Sequence, residues 1–116
     1  LQAGDILFID SSHIIRPTGD VLFSFLELLP RLNVGVIVHI HDIFTPRQYP
    51  ASWIVDEVKF WNEQYLLEAF LSHNTSWEII GALNHLYHER RDRLRAVCPF
   101  LTDEHEPRSF YIERTR

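Results

Sequence analysis

The sequence predicts an α/β fold built on a parallel sheet. Two apolar runs of strand length, in Asp5–Asp10 (DILFID) and Gly35–Ile40 (GVIVHI), are the first observation. Continuous apolar runs of this kind mark strands buried on both faces. Between them, Val21, Leu22, Phe25, Leu26, Leu28 and Leu29 recur at the spacing of a helix. Strand, helix and strand within about forty residues make a right-handed crossover unit of a parallel sheet.

Each element has its own signal. Asp5–Asp10 is the first strand and SSHIIRPTG the loop after it. Thr18 is placed to cap the helix that follows, and Pro30 disturbs that helix near its end. Asn33-Val34-Gly35 makes the turn into the second strand, Val36–Ile40. A loop with Pro46 and Pro50 then leads to a long helical pattern, Ile54–His73, with Val58, Trp61, Tyr65, Leu66 and Phe70 on its apolar face. Trp77–Leu83 reads as a third strand, Leu86–Leu94 as a charged amphipathic helix, and Ser109–Glu113 as a short last strand. The predicted order is β-α-β-α-β-α-β in one domain spanning residues 1–116.

Composition narrows the function. At 116 residues and 46% hydrophobic, the chain has the size and make-up of one globular domain. A formal net charge of −5 leaves no basic footprint for nucleic acid. No apolar run has the ~18 residues of a membrane span. The lone cysteine, Cys98, cannot close an internal disulfide, which fits a reducing, cytoplasmic setting. The chain holds no methionine, and its first strand, central in character, arrives after four residues. The expectation is therefore the back part of a larger α/β domain.

Chemistry is expected just past the strand ends, where open α/β sheets hold their ligands. Asp10, Ser11, Ser12 and His13 follow the first strand; His39, His41 and Asp42 close the second. In a parallel crossover unit both ends face one side, so Asp10, His13, His41 and Asp42 are expected to converge. A carboxylate that orients an imidazole suits general-base work on a hydroxyl, and the same groups can hold a divalent ion. The competing reading has the acids capping turns and the histidines packing, and for His39 packing is the stronger reading. Arg47, Tyr49 and Trp53 are candidate contacts for an acceptor, although the two aromatics would equally cover the core. Asn62-Glu63-Gln64 reads as a solvated polar cluster on an aromatic helix.

DILFIDSSH, then VGVIVHIHDIF-x-P-x-x-YP-x-x-W, FWNEQYLLEAFL and a closing SFYIE together resemble the carboxyl-terminal half of class I S-adenosylmethionine-dependent methyltransferases. Within that class they are most similar to the bacterial methyltransferase-24-like enzymes. The resemblance implies strands four to seven of a Rossmann-like sheet, the last antiparallel and inserted between the two before it. It implies a methyl-donor site lying largely upstream, so the fragment alone is expected to be inactive. Asp10 matches the acid ending the fourth strand, beside the methyl-transfer centre, and is the one candidate cofactor contact. His13 matches a histidine often found three residues later, and Asp42 the acid ending the fifth strand. Metal-dependent members hold magnesium with two such acids and an asparagine next to the second. Ile43 stands at that third position, so no metal ligand is assigned.

The expected activity is methyl transfer from S-adenosylmethionine to a hydroxyl or amine of a small molecule, with His13 as the base, oriented by Asp10 or Asp42. Two competitors stand beside it. One is a metal-dependent hydrolase using His39, His41 and Asp42, since His-x-His on a strand is a zinc arrangement. The other is a non-catalytic interaction module. An apolar first strand left at a sheet edge also points to self-association.

Overall fold

The computed structural model describes all 116 residues, Leu1–Arg116. The chain is α/β, with four strands in one mixed sheet of order β1-β2-β4-β3. β1 (Ile6–Ile9) and β2 (Ile37–Ile40) run parallel, with Leu7 opposite Val38 and Phe8 opposite His39. β4 (Phe110–Arg114) lies antiparallel between β2 and β3 (Trp77–Ala82), pairing Tyr111 with His39 and Ile112 with Ile79. A register shift falls between Ile79 and Gly81. The antiparallel last strand between the two before it is the arrangement that the resemblance implies.

One face of the sheet carries the core. Val38 and Ile40 of β2 and Phe110 and Ile112 of β4 are buried, while the residues between them are not. This is the period-two alternation of a sheet with one covered face. Val21, Phe25 and Leu29 from the first helical segment and Leu67 from the later one pack onto that face. Burying each such side chain contributes about 1.5–3 kcal/mol. Gly35 makes the turn into β2 at φ +83°, and a Cβ there would meet the Ala3 Cβ at 2.6 Å.

The helices depart from expectation at their ends. Thr18 does not cap the first one: it sits at φ +58° and its hydroxyl donates to the Pro17 carbonyl. The segment begins instead at Asp20, whose carboxylate reaches back to the Ser12 N–H (2.7 Å) and hydroxyl (2.6 Å). It runs as α1 (Asp20–Phe23), a π turn over Ser24–Leu28 and a 3-10 turn over Leu29–Arg31 that contains Pro30.

The long helix expected over Ile54–His73 is two, α2 (Ala51–Val55) and α3 (Glu63–Leu71). Val58, expected on the apolar face, is exposed at φ +55°. In a continuous helix the N–H groups of Asn62 and Glu63 would bond residues 58 and 59. Both donate instead to the His13 carbonyl, at 3.0 and 3.2 Å, so a tertiary contact starts α3. The helix expected over Leu86–Leu94 is likewise α4 (Leu83–Glu89) and α5 (Arg91–Val97), broken at Arg90. α5 is held from the side by Asp103, which pairs with Arg91 and Arg95.

Candidate functional site at the strand ends

The carboxyl ends of β1 and β2 lie side by side and bring four predicted residues together. His13 Nε2 is 3.3 Å from Asp10 and 3.8 Å from Asp42. His41 Nδ1 is 3.7 Å from the same Asp10 oxygen and 3.4 Å from the same Asp42 oxygen. His13 and Asp42 are buried; Asp10 is exposed and His41 partly so. Both buried residues take left-handed backbone, His13 at φ +58° and Asp42 at φ +57°. Non-glycine residues hold such angles, at roughly 1–3 kcal/mol each, only where the surroundings enforce them. That enforcement turns both side chains into one crevice.

Its deepest member is Glu63, which sequence reasoning placed on a solvated face. Glu63 is fully buried at the first position of α3. Its Oε2 lies in hydrogen-bond contact with His13 Nδ1 at 2.8 Å and accepts from the Ser11 hydroxyl at 2.8 Å, while Oε1 has no partner. Asp10 and Asp42, expected to orient His13, lie beside its Nε2, and Glu63 lies beside the opposite nitrogen, Nδ1. The rest of the triplet is equally engaged. Asn62 Oδ1 accepts from the Ile15 N–H at 2.6 Å. Gln64, also fully buried, accepts from the Phe44 N–H and donates to the Arg47 carbonyl. Three polar residues inside an otherwise aromatic segment, NEQ between FW and YLL, were the available signal. Which polar groups are buried, and against which partners, is seldom visible before the fold is known.

Charge follows from these contacts. Burial pulls the His13 pKa down, but the Glu63 hydrogen bond and the charges of Glu63, Asp42 and Asp10 outweigh it and hold it above its ordinary value. Trp61 lies against the imidazole, ring centroids 4.1 Å apart, and excludes water from that side. His39 goes the other way. Burial, and then repulsion from His41, lower its pKa. Its ring stacks on Tyr111 at 4.4 Å with Nε2 unpartnered, so it packs rather than joins the crevice.

The proposed acceptor contacts separate. Tyr49 is buried, its hydroxyl accepts the Gln64 N–H at 3.2 Å, and burial raises its pKa. The Arg47 side chain is exposed. Trp53 is half-buried and, with Phe44, Pro50, Glu104, Glu106 and Arg108, lines an open pocket of about 290 Å³. Arg108 joins this pocket to the crevice: it donates to Asp42 Oδ1 at 3.2 Å and lies 5.1 Å from the Trp53 ring centre. Sequence reasoning missed Arg108, which arrives from the far end of the chain beside β4.

The set His39, His41 and Asp42 does not assemble as three metal donors. Asp10, His13 and Asp42 do, with donor atoms all within 4.8 Å of one another. Magnesium takes oxygen ligands, and Ile43, next to Asp42, is a core residue. Two carboxylates and an imidazole nitrogen do not reproduce a magnesium set and would better suit a transition ion. No helix is long and apolar enough to cross a membrane. Compared with known proteins, the chain matches no protein-family model, no curated protein and no solved structure.

Proposed function

We propose that this chain forms the acceptor side of an S-adenosylmethionine-dependent methyltransferase acting on a hydroxyl or amine of a small molecule. The observation that carries the reading is the sheet order β1-β2-β4-β3, with His13 and Asp42 buried together at the ends of its two parallel strands. S-adenosylmethionine supplies a methyl group on a sulfonium. With the donor bound, an acceptor oxygen or nitrogen would take that methyl in line from sulfur, with S-adenosylhomocysteine as the leaving group. The acceptor's proton passes to His13 Nε2, the nitrogen turned toward Asp10 and Asp42. Positioning supplies most of the rate, and a base of this kind adds about 10²–10⁴-fold.

The test is transfer of labelled methyl to hydroxyl- and amine-bearing acceptors by the natural-length protein. Transfer is expected, with turnover reduced in His13→Ala and Asp42→Asn more than donor affinity. A natural-length protein that binds no S-adenosylmethionine overturns the reading. A metal-dependent hydrolase is the second reading, favoured by the grouping of Asp10, His13 and Asp42. Stoichiometric zinc in the purified protein would speak for it.

A further inference from the structure

Glu63 has the features of a group kept for its chemistry. It is a carboxylate with no exposed surface, and a buried charge is costly unless it is paired. It sits at the amino end of α3, where the helix dipole favours an anion. Its attachment to His13 is double. The backbone N–H of Glu63 donates to the His13 carbonyl at 3.2 Å, and His13 Nδ1 bonds the Glu63 carboxylate at 2.8 Å. Asn62 adds a second N–H to that carbonyl at 3.0 Å. Main chain and side chain of His13 are thus both fixed from one helical turn, which accounts for a histidine at φ +58°. Trp61, two residues earlier, closes one side of the ring.

We infer that Glu63 is the positioning residue of the site. It fixes Nδ1 of His13 as the donor nitrogen, so that Nε2 alone is presented to the crevice between Asp10 and Asp42. Carboxylate–imidazole pairs of this geometry set which ring nitrogen is free to react. Ser11, whose hydroxyl donates to the same Glu63 oxygen, holds the carboxylate in turn. Gln64 extends the support to the second loop through Phe44 and Arg47. The first turn of α3 is therefore the platform on which both strand-end loops rest.

The role in methyl transfer rests on the function proposed above, but the link between the two residues can be measured without it. In the chain labelled with ¹⁵N-histidine, His13 Nδ1 is expected to carry a slowly exchanging, downfield-shifted proton. Glu63→Gln, which keeps the shape and removes the charge, should move that proton upfield, whereas Asp10→Asn should leave it in place. A His13 Nδ1 without a proton, or a resonance indifferent to Glu63→Gln, overturns the inference. In the natural-length enzyme, Glu63→Gln should lower kcat about 10–100-fold, the usual effect of such a supporting carboxylate, with KM nearly unchanged. Unaltered kcat in an active enzyme also overturns it. If the wild type transfers no methyl group, it is the proposed function that fails, and the proton resonance still decides the role of Glu63.

Discussion

Burial lowers the pKa of both His13 and His39, and their neighbours then send the two in opposite directions. His13 is surrounded by Asp10, Asp42 and Glu63, so its folded-state pKa is raised. A raised value means that its contribution to stability is complete below the unfolded pKa of about 6.5 and is lost as pH rises through the folded value. Urea unfolding of the wild type should therefore show stability falling as pH rises above about 6.5, and Glu63→Gln should flatten that fall. His13→Ala leaves Glu63 buried without its partner and is expected to cost about 3–5 kcal/mol in the same measurement. His39 has a lowered pKa, so its contribution is present above about pH 6.5 and lost as pH falls below it. Its buried Nε2 has no partner. His39→Phe keeps the stack on Tyr111, removes that polar atom, and should stabilise the fold by about 1–3 kcal/mol. A destabilised His39→Phe protein would show that the ring nitrogen has a partner in solution.

The break between α2 and α3 is decided by one residue and one carbonyl. Helical periodicity runs on through residues 54–73, and no proline or glycine interrupts it. What ends it is the competition of the His13 carbonyl for the N–H groups of Asn62 and Glu63. Val58 then has to adopt φ +55° with its side chain exposed. A β-branched residue in left-handed backbone costs about 1–2 kcal/mol, and glycine there gives back roughly 0.5–1 kcal/mol through its greater freedom when unfolded. Val58→Gly should thus be neutral or raise stability by about 1 kcal/mol. Thermal unfolding checks this; a clear loss would mean that residues 56–61 are helical after all.

The sheet has one covered face, and β1 forms one of its two edges. Ile6 and Phe8 of β1 are 60% and 55% exposed, and β1 pairs only with β2. Nothing charged lies within Ile6–Ile9, and no proline or bulge blunts it. Such an edge is a template for another strand. Light scattering over a dilution series is expected to show a species larger than the monomer. A strict monomer at high concentration, with fast amide exchange along Ile6–Ile9, would mean that the edge is shielded.

By itself the sequence determined the strands, the crossover and which polar residues gather at the strand ends. Those depend on local patterns: apolar runs for β1 and β2, helical spacing over Val21–Leu29, and polar residues immediately after each strand. Asp10, His13, His41 and Asp42 were legible for that reason, because a parallel pair forces its two carboxyl ends together. Helix ends and partners were not legible. Thr18 is a good capping residue that lost its place to a contact between Asp20 and Ser12. Glu63 and Gln64 look like surface residues until the loops they hold are in position. Arg108 reaches Asp42 across 66 positions of sequence. Only tertiary structure decided these, because a polar side chain's cost or value depends on whether a partner meets it once water has been excluded.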